Sequence, residues 1–107
     1  MKYSIIICPN DKNSKATLHA LGFINALINK KPQHISVFFY GYAVETAFMI
    51  QSAWHEVARN NVTLTACSTI AESYLNQQLK TAPYFNLAGL GQWMEAIMDA
   101  DKYIEFG

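Results

Sequence analysis

Val62-Thr63-Leu64-Thr65-Ala66-Cys67-Ser68-Thr69-Ile70-Ala71-Glu72 changes its hydrophobic period part-way along. Val62, Leu64 and Ala66 alternate with Thr63, Thr65 and Cys67, the period of two that marks a strand, and this alternation directs Cys67 to the threonine side as the chain leaves the sheet. Thr69-Ile70-Ala71-Glu72 then has the S/T-x-x-E spacing of a capping box, which predicts a helix starting at once. A strand feeding straight into a helix is the building unit of parallel α/β sheets. It leaves Cys67 at a strand's carboxyl end, just ahead of a helix N-terminus.

The same alternation of elements extends in both directions. Tyr3 to Cys8 is a short apolar run closed by Pro9-Asn10-Asp11, which fits a strand buried on both sides followed by a turn. Ser14 then precedes Leu18, Leu21, Ile24 and Ile28 at helical spacing, with Lys30-Lys31-Pro32 as a cationic last turn and a stop. His34 to Tyr40, rich in β-branched and aromatic residues and ending at Gly41, predicts a second strand. Val44, Phe48, Trp54, Val57 and Ala58 predict one second helix from Val44 to Arg59, closed by Asn60-Asn61.

Downstream, Thr81 to Asn86 with Pro83 reads as a loop. Leu90, Trp93, Met94, Ile97 and Met98 fall at i, i+3, i+4, i+7 and i+8, the clearest amphipathic helix of the chain. Lys102-Tyr103-Ile104-Glu105-Phe106 alternates as a last strand. The expectation is one domain over residues 1–107, a three-layer α/β/α sandwich around a mostly parallel sheet of four to five strands. Sites in such sheets gather at the carboxyl ends of the strands, here Pro9-Asn10-Asp11, Gly41-Tyr42-Ala43 and Cys67-Ser68.

Composition narrows the function classes. The chain has 107 residues, 51% apolar and only 15% charged, with eight basic and eight acidic side chains and no basic run, so the electrostatic footprint of direct nucleic-acid binding is missing. No stretch approaches the ~20 apolar residues of a membrane span, and the run at Ile5-Ile6-Ile7 is too short for a secretory signal. The expected setting is therefore cytoplasmic, where both cysteines stay reduced. So apolar and aromatic a small chain is expected to bury surface against other subunits.

Cys67 has small neighbours, Ala66, Ser68 and Thr69, and a helix terminus behind it worth about 0.3 to 1 kcal/mol to an anion. That alone is weak activation for a thiolate, so further activation requires a cation, and Arg59 and Lys80, the nearest in sequence, are far along the chain. Two readings stay open on the residues alone, an exposed nucleophile and a buried inert thiol. Cys8 also ends a strand and is a possible second thiol, able to resolve an adduct on Cys67 only if their strands are neighbours. His19, His34 and His55 have no metal-ligand spacing, so no metal site is expected. His55 reads as an exposed helix histidine, and the Trp93, Met94, Met98 stripe as core or subunit interface. Pro9-Asn10-Asp11-Lys12-Asn13-Ser14 has no glycine to cradle a phosphate, which argues against a nucleotide or flavin site.

The order Phe38-Phe39-Tyr40 ending a strand, then Asn61-Val62-Thr63-Leu64-Thr65-Ala66-Cys67, then Ala88-Gly89-Leu90-Gly91 leading into Trp93-Met94-Glu95-Ala96, resembles the DsrE/TusD family of sulfur-relay subunits over most of the chain. The resemblance implies that Cys67 is the sulfur-carrying residue, holding sulfane sulfur as a persulfide. Around it stand the helix-start residues Ser68 and Thr69 and the strand-end residues Tyr40, Gly41 and Tyr42. It further implies no metal or organic cofactor, protein partners that donate and accept the persulfide, and assembly as a homo-oligomer (trimer or hexamer) or with related subunits, serving tRNA thiolation or sulfur oxidation. The segments Gly41 to Asn60 and Ser68 to Asn86 look shorter than is usual in that family, and the aspartate often found after the Phe-Phe-Tyr strand is replaced around Gly41-Tyr42-Ala43.

Overall fold

Ile5, Ile7, Ile35, Val37, Phe39, Leu64 and Ala66 are sealed from solvent because the short apolar segments that carry them pair side by side under a layer of helices. The computed structural model describes residues 1–107. Its elements are β1 (Lys2–Ile7), α1 (Ala16–Ile28), β2 (His34–Phe39), a 3-10 helix (Gly41–Phe48), α2 (Ser52–Ala58), β3 (Val62–Cys67), α3 (Ser68–Asn76), β4 (Phe85–Ala88), α4 (Leu90–Asp99) and β5 (Lys102–Phe106). The five strands form one sheet in the order β4-β3-β2-β1-β5, and every pairing is parallel.

The register gives the sheet two unlike sides. Ile5, Val37, Leu64 and Phe85 share one row, and their side carries α1, the 3-10 helix, α2 and α3. Trp54 of α2 meets Phe39 edge-on at 5.1 Å, Phe23 of α1 meets Phe106 at 5.6 Å, and Phe48 stacks on Tyr74 of α3 at 4.9 Å. The opposite side presents Ser4, Ser36, Phe38, Thr63 and Thr65, and its helix is α4. There Trp93 stacks on Phe38 at 5.1 Å, and Ser4 Oγ donates to the Ala96 carbonyl at 3.1 Å. These contacts fasten α4 over β1 and β2, and the aromatic stack adds about 0.5 to 1.5 kcal/mol beyond the area it buries.

This arrangement follows from handedness. The steps β1 to β2, β2 to β3 and β3 to β4 move in one direction with their helices on the isoleucine side. From β4 the chain returns to the far edge beyond β1, and a right-handed crossover in the reverse direction must pass over the other side. The sheet therefore has a topological switch point between β1 and β5.

Several local expectations change. The loop expected from Thr81 to Asn86 gives way to β4 at Phe85, an edge strand of four residues, too short for its alternation to stand out behind Pro83. The single helix expected from Val44 to Arg59 is two, a 3-10 helix and α2, separated at Met49–Gln51. Tyr84 explains the break, since its hydroxyl accepts from the Gln51 amide at 2.8 Å and lies 3.3 and 3.2 Å from the Met49 and Gln51 carbonyls as a donor. Backbone groups freed by the interruption thus find a partner.

Helix α1 buries Ala16, Ala20, Ile24 and Leu27 rather than a stripe through Leu18, which is exposed. Ser14 still serves its start, its Oγ accepting from the Ala16 amide at 3.1 Å, while Lys30 and Lys31 lie beyond its last turn. In α4 only Trp93 is fully buried, with Ala96 and Ile97 partly covered, so the inward face is narrower than the apolar spacing implied.

Candidate functional site at the carboxyl edge of the sheet

Cys67 is both the last residue of β3 and the N-cap of α3, with φ −62° and ψ 118°. The capping box expected at Thr69 and Glu72 is not formed. The strand runs into the helix without a spare residue, so the helix starts at Ser68 and Thr69 falls inside its first turn, with no side-chain cap. The amides of Ser68 and Thr69 are consequently among the first four of the helix, which have no intrahelical acceptor.

The sulfur is nevertheless covered, since Cys67 is 3% exposed and belongs to the hydrophobic core. Arg59, one of the two cations nearest in sequence, is engaged by Glu56 at 3.1 Å at the end of α2. Across the ladder, Cys67 pairs with Ala88 of β4.

Cys8 is placed differently. It is a free, half-buried thiol, and it lines a cavity of about 540 Å³ with Ile6, Asn10, Tyr40, Glu105, Phe106 and Gly107. This cavity lies outside the carboxyl ends of β1 and β5, at the switch point, where open parallel sheets characteristically bind ligands. The Cys8 amide donates to the Phe106 carbonyl at 2.7 Å. A side chain at Gly107 would meet the Cys8 carbonyl oxygen at 2.6 Å, so only glycine fits that approach.

The strand-end residues fall between the two thiols. The Tyr40 amide donates to the Ile7 carbonyl at 2.9 Å, its ring stacks on Phe38 at 6.2 Å, and it forms part of the Cys8 cavity wall. Gly41 takes the left-handed conformation, φ 61°, that opens the 3-10 helix, whereas Tyr42 is exposed. Because β2 separates β1 from β3, the condition for Cys8 to resolve an adduct on Cys67, neighbouring strands, is not met.

Sequence reasoning found both thiols and placed Asn10 at this edge but missed Glu105 as a wall of the Cys8 cavity. The placement of β5 beside β1 brings Glu105 there, and no local signal in the sequence announces that pairing. Burial and the Glu105 carboxylate, which accepts the Tyr103 hydroxyl proton at 2.8 Å, together with the nearby Cys8 charge, push the Tyr103 phenol up to about 12. His55 stands apart from this edge, exposed on α2 and stacked on Tyr84 at 5.1 Å. No group of three or more His, Cys, Asp or Glu side chains is arranged to hold a metal ion, and no helix is long and apolar enough to cross a membrane.

The DsrE/DsrF-like family model matches residues 1–106. The chain belongs to the DsrE/DsrF-like family. Among curated relatives, a sulfurtransferase TusD homolog of Vibrio vulnificus is 27% identical over 128 aligned positions, covering 99% of this chain and 98% of the relative. Sulfurtransferase TusD of Salmonella arizonae is also 27% identical, with 99% and 100% covered. Both alignments are longer than the 107-residue chain, in keeping with shortened segments in this member of the family. The crystal structure of the ychN protein from E. coli superposes with a TM-score of 0.82 at 18% identity, covering 99% of this chain and all of that one. A protein of unknown function from Methanobacterium thermoautotrophicum reaches 0.77 at 15% identity, with 97% of each chain covered. These likenesses establish the shared fold of this DsrE/DsrF-like chain.

Proposed function

We propose that this DsrE/DsrF-like domain is a cytoplasmic sulfur-relay subunit that accepts sulfane sulfur on Cys67 and passes it to a partner protein's thiol. The observation that carries this reading is the position of Cys67, at the junction of β3 and α3 in a chain whose family match spans residues 1–106; curated relatives named sulfurtransferase TusD support it. In the first step the Cys67 thiolate attacks the outer sulfur of a donor persulfide. A new S–S bond forms on Cys67, the donor's S–S bond breaks, and the donor cysteine leaves as a thiolate that takes up a proton. In the second step an acceptor thiolate attacks the outer sulfur of Cys67-S-SH and releases the Cys67 thiolate. One sulfur atom moves and no net oxidation occurs.

The amides of Ser68 and Thr69 stabilise the anion at the helix start. The partners are a persulfide donor, a thiol acceptor and other subunits, either copies of this chain in a trimer or hexamer or related chains, in tRNA thiolation or sulfur oxidation. Because Cys67 is covered in the single chain, the donor complex must open its surroundings.

Mass spectrometry after incubation with a protein persulfide donor tests the reading. One added sulfur on the wild type and none on Cys67→Ser is expected; no addition, or equal addition to both, ends it. The burial of Cys67 favours a second reading, a non-catalytic subunit or small-ligand binding module in which this thiol is packing. Cys67 that stays inert to the donor, and reacts with thiol reagents only after denaturation, supports that alternative.

A further inference from the structure

Between the start of α1 and the break that precedes α2 lies a cavity of about 240 Å³, lined by Ser14, Thr17, Leu18 and Leu21 from the first and by Thr46 and Gln51 from the second. It is open to solvent. Leu18 is 64% exposed, and Ser14, Thr17, Leu21 and Gln51 are half-buried.

The first turn of α1 brings free donors to this space. Ser14 Oγ accepts from the Ala16 amide at 3.1 Å, and the His19 amide makes the first link of the helix, to the Lys15 carbonyl at 2.9 Å. The Thr17 and Leu18 amides, both at the cavity, are left without an acceptor in the chain, as a helix start requires. Thr46 is an independent pointer to a ligand. It is only 9% exposed, yet its hydroxyl has no hydrogen-bond partner. That hydroxyl is not sealed, because Trp93 Nε1 is the one unpartnered side-chain polar atom closed off from solvent. Its opening is the cavity that Thr46 lines.

The surroundings decide what these donors take. No charged side chain lines the cavity. The Asp11 carboxylate is held by the Asn13 amide at 2.8 Å, and the residue just ahead of the helix is the exposed cation Lys15. Donors without acceptors at a helix start favour an anion. Leu18 and Leu21 lie one turn apart beside those donors, an apolar wall that a bare inorganic ion would leave unused. A cavity of roughly 150 Å³ holds a benzene-sized molecule, so this one has room for a headgroup and a chain of about five carbons.

We propose that this cavity binds a short-chain aliphatic carboxylate, its oxygens on the Thr17 and Leu18 amides and the Thr46 hydroxyl and its alkyl chain along Leu18 and Leu21. Neither cysteine lines the site, so it is independent of the sulfur relay.

Amide resonances of the isotope-labelled full chain test this, with hexanoate as probe. The Thr17 and Leu18 amide protons move downfield and saturate in the millimolar range, while the Trp93 indole proton, on the other side of the sheet, stays in place. Hexanamide, the same shape without the charge, binds about tenfold more weakly. Each methylene removed from the chain weakens binding about two- to fourfold. Thr46→Val keeps the shape of the side chain and weakens hexanoate about tenfold. Leu18→Asp, at a position already in water, leaves the fold intact and abolishes binding by setting a carboxylate beside the site. The proposal is overturned if the Thr17 and Leu18 amides do not respond, if hexanamide or butyrate binds as tightly as hexanoate, or if inorganic sulfate binds more tightly. It is equally overturned if Leu18→Asp or a folded Thr46→Val binds with unchanged affinity, or if the shifts follow protein concentration rather than hexanoate.

Discussion

Cys8 directly follows β1 and Cys67 closes β3, two strands that each border β2 and never border each other. Neighbouring strands lie about 4.8 Å apart, so the two backbones are separated by roughly 10 Å at this edge, beyond the ~7 Å that a disulfide spans. Oxidation of the folded chain should therefore produce no intramolecular Cys8–Cys67 bond. In the absence of a donor, a thiol reagent should label the half-buried Cys8 well before Cys67, which is 3% exposed. Peptide mapping after timed alkylation measures the order; equal rates, or Cys67 first, would contradict the placement of the two sulfurs.

Tyr84 holds the interruption between the 3-10 helix and α2 through a single hydroxyl that serves the Gln51 amide and two carbonyls. Tyr84→Phe keeps the ring and its stack on His55 but leaves these backbone groups without that partner. A loss of about 1 to 3 kcal/mol is expected in urea unfolding, with little change in the slope because the surface exposed on unfolding is nearly the same.

Gly41 has φ 61°, yet a Cβ there would come no nearer than 3.9 Å to its closest neighbour, Cys8 Sγ. Space is not the constraint, and conformation is. Gly41→Ala should cost about 1 to 2 kcal/mol through the left-handed backbone alone, visible as a lowered unfolding midpoint while the Cys8 alkylation rate stays close to wild type. A collapse of that rate would mean that the cavity wall had moved.

The parts of the fold that the sequence discloses are those in which one local pattern decides the outcome. Val62, Leu64 and Ala66 go inward and Thr63 and Thr65 outward because the strand's two sides meet different layers, and alternation records that difference directly. The position of Cys67 between strand and helix was legible for the same reason, whereas its burial was not, since covering the sulfur depends on elements distant in sequence. Helix α4 shows the opposite case. Its spacing implied a broad inward face, but Trp93, stacked on Phe38, is the one buried side chain of the helix. The cavity at Cys8 required β5 to lie beside β1, a pairing nearly a hundred residues apart that no local pattern encodes.

Tyr103 carries a pH dependence whose sign follows from its environment. Burial first, then the hydrogen bond to Glu105 and its charge, then Cys8, raise the phenol from 10.0 to about 12. Below pH 10 the proton is bound in both folded and unfolded chains, and this contribution to stability is fully present. Between pH 10 and 12 the unfolded chain releases the proton that the folded chain keeps, so stability falls as pH rises. Glu105→Gln removes the carboxylate and should bring the Tyr103 transition back toward 10. The difference in tyrosinate absorbance between wild type and variant isolates this residue from the other five tyrosines, and coincident titration curves would contradict the Tyr103–Glu105 contact.

Leu90, Met94 and Met98 follow one another by a single helical turn along the outer side of α4, and all three are exposed, Met98 by 85%. They contribute little to the stability of the single chain, because a side chain that stays in water has no burial energy to lose. Met94→Glu and Met98→Glu together should therefore change the unfolding free energy by no more than about 0.5 kcal/mol each. The same two changes place carboxylates on an otherwise apolar ridge. If the chain assembles as proposed and that ridge meets another subunit, each buried, unpaired charge is costly enough to dissociate the complex. Sedimentation velocity beside urea unfolding separates the effects. The expected result is a smaller species of unchanged stability, and an unchanged oligomer would show that α4 faces solvent in the assembled protein.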